Sequence, residues 1–456
     1  MKRLSVLGNI ELLTLTTMNI SVLQIGQMVM RTLKPTKATL RFLSIVSFLT
    51  GLVAVSKTDL PRVFKDVKGL REVSPRIVFP QPTLQQRYLV DGQVKFGFKL
   101  FSTLTESQEN ENILIAPTSV ALTLSMLYNG ATGATQTEIS QGLYLKNVSA
   151  NTLNRANQNL YNDLNSHELS SNFIVTNSLW AKEGFPFRYQ FRKNSRNYYQ
   201  AKITNLDFSS SEARGIVNRW VTEETQGQVR KIMDSTQADD VLFLINTATF
   251  QGRWKREFDS NLTKDKPFYL RDQSVKNYPF MSRKGVYNYL ETPEVQAAEL
   301  PYGNGRFSLY LFLPKAESDL PTILEEITAK KSSKLFSKFR KSQGLLELPR
   351  FRLNDEVNLT NALKKLGFST MFAADKAEFS QLSSHATYIS GMKHQTILTI
   401  NEHGVNSSTR KDLSVQEISK NKGKQKFSLT IDRPFLSIIR DNETGNILFM
   451  GMIFEP

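Results

Sequence analysis

The chain has 456 residues, 40% hydrophobic, 10% aromatic and 22% charged, which excludes disorder over most of its length and allows one large core or two. Fifty-eight Lys and Arg against 42 Asp and Glu leave a net charge of +16, which favours anionic partners and says nothing about fold. The lack of cysteine excludes disulfides, thiolate zinc, iron–sulfur clusters and a thiol nucleophile, and leaves the redox compartment open.

Residues 1–56 read as an export signal with an over-long start. Phe42 to Val55 is a weakly polar stretch preceded by Arg31, Lys34, Lys37 and Arg41 and followed by Ala54-Val55-Ser56. A membrane anchor needs roughly 20 apolar residues, so cleavage after Ser56 fits better than retention, and the expected location is secreted, extracellular or periplasmic. Cleavage removes six Lys or Arg and one acid and takes the net charge from +16 to +11. Residues 57–93 mix prolines, charges and scattered apolar residues and read as a linker or N-terminal arm.

A domain is expected over 94–456. Phe96, Phe98, Leu100, Phe101 and Leu104 keep helical spacing, and Glu106 to Glu111 is a polar turn. Ile113-Leu114-Ile115 predicts a short strand stopped by Pro117, with Ser119 as the cap of a buried helix from Val120 to Tyr128. Phe173 to Trp180, Val241 to Phe250, Phe307 to Pro314 and Leu345 to Phe351 are strand-like. Arg214 to Thr225 and Leu359 to Leu366 are amphipathic helices. Strands follow at Thr396 to Ile400, Phe427 to Ile431, Pro434 to Arg440 and Asn446 to Ile453. No βαβ beat emerges, so the fold class is α+β. Asn401 to Lys426 is polar without an apolar period, and so long a loop is functional or disordered.

Enzyme signatures are missing: no HExxH, GxSxG, P-loop or post-strand GxGxxG occurs, so no catalysis and no cofactor or metal is expected. His385, His394 and His403 stand nine residues apart, too far for ligands on one helix face, and read as separate hydrogen-bonding side chains. The acids read as solvated, none in an apolar setting that would tune it to a general acid. Lys330, Lys331, Lys334, Lys338, Arg340 and Lys341 form a dense basic run, read first as a solvated helix face and second as a polyanion patch. Lys420, Lys422, Lys424 and Lys426 alternate at the end of the long loop, and no aromatic ladder accompanies either cluster.

From about Val94 to Pro456 the sequence resembles the serpins. The blocks are NILIAPTSVALTLSMLYNGATGATQTEI (Asn112 to Ile139), Asn218-Arg219-Trp220-Val221 with Thr225-Gln226-Gly227, LINTATFQGRW (Leu244 to Trp254), ELPY (Glu299 to Tyr302), LPRF (Leu348 to Phe351) and DRPFLSIIRDNETGNILFMG (Asp432 to Gly451), all in order. The resemblance implies three β-sheets with about nine helices and an exposed reactive loop. It implies a monomer that traps a serine protease: the loop is cleaved, an acyl-enzyme forms, and the freed loop enters the large sheet as a strand before water can deacylate. No small-molecule substrate is implied.

By the same resemblance, Glu402, Gly404, Val405, Ser407, Thr409 and Lys411 belong to the hinge. Ser119, Asn246 and His394 belong to the shutter beneath the large sheet, and Trp254 with the Arg350–Glu402 pair to the breach where insertion begins. Counting from Gly404 places the scissile bond at Ile418-Ser419, which suits an elastase-like or chymotrypsin-like enzyme. The interval to Pro434 is longer than is common in the family, so Lys420 or Lys422 is the alternative, recruiting a trypsin-like enzyme. The family's inhibitory members carry small residues after the hinge, whereas alternation here turns Lys411 inward beside Val405, Ser407 and Thr409. An unpaired buried ammonium slows insertion. The rival reading is a non-inhibitory binding or carrier protein of the same fold, with polyanion binding compatible with either.

Overall fold

A computed structural model describes residues 83–106, 111–145, 148–165, 171–233, 241–327, 334–405 and 426–456. The export stretch and the arm up to residue 82 lie outside the described residues. So do Lys330, Lys331, Ser407, Thr409, Lys411, Ile418, Ser419, Lys420 and Lys422.

The first helix among the described residues, α1 (Leu84–Thr105), begins ten residues before Val94. Thr83 and Gln86 close it with a reciprocal capping box, the Thr83 hydroxyl accepting from the Gln86 N–H and the Gln86 amide oxygen from the Thr83 N–H. Its first turns are largely exposed, which is why apolar spacing starts late. β1 (Ile113–Ile115) leads into α2 (Pro117–Tyr128), a helix apolar almost all round and therefore buried. Its cap position is Ala116, with Pro117 at the first helical residue, so Ser119 is not the cap. Pro117 supplies the fixed φ, and the Ser119 hydroxyl turns inward instead.

Helices α3 (Gly133–Gly142) and α4 (Ala150–Leu164) follow, then β2 (Ser171–Lys182), α5 (Tyr189–Tyr199), β3 (Lys202–Leu206), α6 (Ala213–Glu224) and β4 (Leu242–Arg253). The middle of the chain holds β5 (Lys264–Tyr269), β6 (Val275–Glu291), β7 (Val295–Pro301), β8 (Phe307–Pro314) and α7 (Leu320–Glu326). β9 (Arg340–Pro349), β10 (Phe351–Asn358), α8 (Thr360–Lys365), β11 (Gly391–Asn401), β12 (Gly404–Val405), β13 (Phe427–Thr430), β14 (Phe435–Asp441) and β15 (Ile447–Ile453) complete it. With helical residues 334–336, nine α-helical segments are described.

Leu345 to Phe351 is not one strand: Arg350 separates β9 from β10, which belong to different sheets. The run from Lys330 to Lys341 is likewise not one helix face, because Arg340 and Lys341 open β9. β-Branched and aromatic residues dominate neither stretch, so periodicity alone could not locate these boundaries.

The strands make an α+β fold of three sheets. The large sheet runs β10-β11-β12-β4-β2-β3. A second runs β1-β15-β14-β8-β7 and ends on Asn288 to Glu291 of β6. The 17-residue β6 bridges into a third sheet, pairing β5 along Val275 to Phe280 and β9 along Phe280 to Tyr289, with β13 beyond β9. β8 and β15 are buried at every residue, as strands covered on both faces must be. On the outer face of the large sheet, Val217, Trp220 and Val221 of α6 pack with Trp180, Ile245 and Ile397. The Trp180 and Trp220 rings meet edge to face at 5.6 Å. On the inner face lies α2.

Candidate functional site

The seam between β4 and β11 divides into a parted upper end and a closed lower part. Below, the two strands pair in parallel from Gly391 opposite Phe243 to Ile397 opposite Thr249. Above, β12 lies between them, with Val405 opposite Ile400 and Gly252, and Gly404 opposite Asn401 and Arg253. The chain leaves β11, turns at Glu402 and His403, and re-enters its own sheet antiparallel to both neighbours.

Gly404 is required for this turn. Its φ is +142°, and a Cβ there would stand 2.0 Å from the Gly252 carbonyl oxygen. Asn401 braces the turn by accepting from the His403 and Gly404 N–H groups at 2.9 and 3.2 Å. Trp254 spans it: its backbone N–H donates to His403 O and its indole N–H to Asn401 O, at 2.9 and 2.8 Å, while the ring stacks on Tyr302 at 4.4 Å.

Glu402 anchors the same turn. Its carboxylate accepts from Arg350 Nε at 2.7 and 2.9 Å, from a second Arg350 nitrogen, and from the Thr263 hydroxyl at 2.6 Å. Burial alone would push its pKa up, but the Arg350 and Thr263 bonds outweigh burial and hold it below the usual carboxylate range. His403 Nδ1 lies 2.9 Å from Glu257.

Lower on the inner face, Ser119, Asn246 and His394 converge and are fully buried. His394 Nε2 accepts the Ala116 N–H at 3.0 Å, so the ring proton sits on Nδ1, which donates to Asn246 Oδ1 at 2.6 Å. Burial pushes the imidazole pKa down to about 3, keeping it neutral. Asn246 Nδ2 donates to Ser119 Oγ at 2.7 Å and to Asn177 Oδ1 at 2.8 Å, and Thr123 donates to Asn177 Oδ1 at 2.6 Å. Each polar atom here has a partner, as burial demands.

The sequence reading missed Asn177 and Thr123, which complete this network. A lone Asn inside the apolar strand Phe173 to Trp180 was the available signal. It also missed Asp355. This carboxyl accepts the Leu114 N–H at 2.7 Å, and burial pushes its pKa up to about 6, so one acid does sit in an apolar setting. Its neighbours are the backbone of β1 and Thr396, whose hydroxyl donates to Leu114 O at 2.8 Å, so it clips β1 to the sheet rather than facing a cleft.

Among the described residues no group of His, Asp and Glu is placed to hold a metal. His385 and His403 stay apart from the His394 network, and His167 lies outside the described residues. Two surface clefts of about 430 and 300 Å³ share Lys315, Ala316 and Arg433, and neither pairs a nucleophile with a base. The Lys334, Lys338, Arg340 and Lys341 side chains are exposed. The seam is therefore parted at its upper end by β12 and closed below, with a polar anchor at its mouth and a neutral network beneath.

Comparison with known proteins agrees with that geometry. The sequence profile described as "Serpin (serine protease inhibitor)" matches residues 91–456. A serpin-like protein of Methanosarcina acetivorans is 29% identical over 372 residues, covering 79% of this chain and 86% of its own. The leukocyte elastase inhibitor of Equus caballus is 28% identical over 374 residues, covering 79% and 97%. Among solved structures, native protease nexin-1 with heparin superposes with a TM-score of 0.73 at 24% identity, covering 81% of this chain and 99% of that one. The thermophilic serpin tengpin in its native state does so with a TM-score of 0.73, covering 83% and 96%. The chain belongs to the serpin family, whose members are generally protease inhibitors rather than enzymes.

Proposed function

We propose that the chain inhibits a serine protease by suicide-substrate trapping, with Ile418-Ser419 as the bond attacked and an elastase-like or chymotrypsin-like enzyme as the target. The observation that carries this reading is β12, which already occupies the gap between β4 and β11 in a register a longer strand could continue. Cleavage frees the loop to follow. One parallel seam is then exchanged for two antiparallel ladders, each slightly more stable per residue than the parallel pairing it replaces. Relatives named as leukocyte elastase inhibitors support the choice of target. Catalysis belongs to the protease, and the serpin contributes the bond and the trap.

Continuing the register fixes what each hinge residue would meet. Ser407 would face Leu398 and Phe250, Thr409 would face Thr396 and Ala248, and Lys411 would face His394 and Asn246. Lys411 therefore arrives on the neutral row of the network, where a bare ammonium is costly. Asp355 lies on the same face one strand beyond, opposite Thr396, and offers a carboxylate to an extended lysine stem. This placement favours a second reading, a binding or carrier protein that is cleaved without trapping.

The test mixes the mature chain with elastase-like, chymotrypsin-like and trypsin-like proteases. A complex that survives denaturation, with a released peptide starting at Ser419, supports the proposal. A peptide starting after Lys420 or Lys422 moves the target to a trypsin-like enzyme. Cleavage without a complex, unrelieved by Lys411→Ala, supports the carrier reading. Export rests on the Phe42 to Val55 stretch, and a secreted product beginning at Lys57 is its expected sign. A polyanion is a further proposed partner, with Lys334, Lys338, Arg340 and Lys341 as the expected contacts.

A further inference from the structure

The chain re-enters the described fold at Lys426, on the third sheet. The Lys426 N–H donates to the Gln343 carbonyl at 2.8 Å, and β13 then pairs in parallel with β9, Phe427 opposite Gly344 and Ser428 opposite Leu345. β6 lies on the other side of β9, with Val286 opposite Gln343 and Lys284 opposite Leu345. Paired residues share a face and successive residues alternate between faces. Tyr287, Tyr289, Gly344 and Phe427 therefore point one way, and Lys284, Val286, Lys341, Leu345 and Lys426 the other. The first side is shut. Phe427 stacks on Tyr289 at 3.9 Å and meets Tyr287 edge to face at 6.0 Å, and a Cβ at Gly344 would stand 2.4 Å from the Phe427 ring. A one-residue slip would drive lysines into that stack, so the packing fixes the second side outward.

On that side Lys284, Val286, Lys341 and Lys426 are exposed and Leu345 is half-buried. None of the ion pairs formed by the described residues involves these three lysines. The one acid on the same side of the three strands is Glu347, which Lys266 already holds at 2.6 Å and which accepts from the Ser282 and Thr430 hydroxyls. Ammonium groups gathered without an acid repel one another in the free protein and are relieved by an acidic partner. Reach points to which partner. Eight residues separate Ile418 from Lys426, and a fully extended chain of that length spans at most ~29 Å. A bond at Lys420 or Lys422 shortens the tether further. A globular enzyme domain of about 200 residues is roughly 40 Å across, so an enzyme seated on the loop carries its rim within reach of this face.

We propose that this side of the third sheet, with Lys284, Val286, Lys341, Leu345 and Lys426, is a secondary docking surface for the enzyme that attacks the loop, and that it selects enzymes with an acidic rim beside the active-site cleft. The lysines steer the encounter and suppress partners with a basic rim, while Val286 and Leu345 give the contact an apolar centre. Alternation brings Lys341 to this side and turns Arg340 to the other, which separates Lys341 from the basic run before it. The inference rests on the protease reading, and needs only that a protease cuts the loop, whether or not the enzyme is then trapped.

The experiment uses the full mature chain and trypsin, because Lys420, Lys422 and Lys424 offer that enzyme bonds in the loop whichever one the physiological target takes. Trypsin is taken native and succinylated, a treatment that turns surface ammonium groups into carboxylates and leaves the catalytic residues in place. The second-order rate of loop cleavage is read from the mass of the released C-terminal fragment. At about 0.01 M ionic strength, where charges act over ~30 Å, the succinylated enzyme should cut about tenfold faster than the native one, and the advantage should fade near 0.15 M. Lys284→Glu with Lys341→Glu should erase the advantage. Lys193→Glu with Arg196→Glu on α5 changes net charge equally outside this sheet and should keep most of it. Equal losses in the two variants, or none in the first, would overturn the proposal. So would a wild type that sediments as a dimer which the first variant dissolves, since the face would then belong to a second copy. Failure of trapping shows separately, as cleavage at an unchanged rate with no complex surviving denaturation.

Discussion

The two halves of the β4–β11 seam are held shut by different physics. At the mouth, the turn into β12 is anchored by the Arg350–Glu402 pair, in which the arginine is 43% exposed, and by His403 beside Glu257, both reachable by water and salt. Below it, Ser119, Asn246, His394, Asn177 and Thr123 form a buried network with no charge at neutral pH. An ion pair with one end at a wet edge can be released and remade cheaply. A neutral network in a dry interior holds its geometry until a strand with matching groups replaces it. Under the proposed trapping mechanism, the difference puts entry at the upper region and resistance at the lower one.

The largest effect should come from Asn246→Ala. It orphans His394 Nδ1–H and the Ser119 hydroxyl and leaves Asn177 Oδ1 with the Thr123 hydroxyl alone, at roughly 1–3 kcal/mol per buried group left unpaired. A loss of about 3 kcal/mol or more in urea unfolding is expected, and a loss below 1 kcal/mol would break the distinction between the halves.

The next effect is a pH dependence. The folded pKa of His394, about 3, lies below its ordinary 6.5. The unfolded chain therefore takes the proton first, and stability is full above pH 6.5 and falls as pH drops toward 3. The contribution lost by pH 5 is about 2 kcal/mol. Asp355, raised to about 6, acts in the opposite sense, its protonation favouring the folded state as pH falls through that value. Unfolding curves of His394→Gln and the wild type should thus differ in slope between pH 6.5 and 5, and parallel curves would contradict the buried neutral imidazole.

At the mouth, Arg350→Ala should cost about 1 kcal/mol, because the arginine is 43% exposed and screened and buried Glu402 keeps the Thr263 hydroxyl as a partner. The loss should shrink further in high salt. A salt-independent loss as large as that of Asn246→Ala would mean both halves are held alike.

How far the sequence foretold this depends on burial. The continuous apolar runs of β8, β14 and β15 were legible because both faces of each strand are covered. β6 was not, since Lys276, Pro279, Arg283 and Lys284 interrupt its alternation and its length follows from serving two sheets. At the seam, Ser119, Asn246 and His394 were recognisable from motif, as were Trp254, Arg350 and Glu402. Asn177, Thr123 and Asp355 were not, because a buried polar residue reads as an ordinary one until its partners from distant strands are in place. The cap assigned to Ser119 failed for the same reason: a hydroxyl before an apolar run satisfies the local rule, and only the position of Asn246 shows where it points.

The central claim is that the freed loop follows β12 down the seam in unbroken register. The absence of cysteine makes it directly testable with a single engineered pair, Thr409→Cys with Ala248→Cys, residues that would stand opposite after insertion. Antiparallel partners approach to about 4.5–5.5 Å between Cα atoms, within disulfide range. The account predicts that mild oxidation links the pair, read as a cross-linked species on non-reducing gels, in protein cleaved at the loop and not in intact protein. Failure to link after cleavage, or linking from position 410 in place of 409, would contradict it.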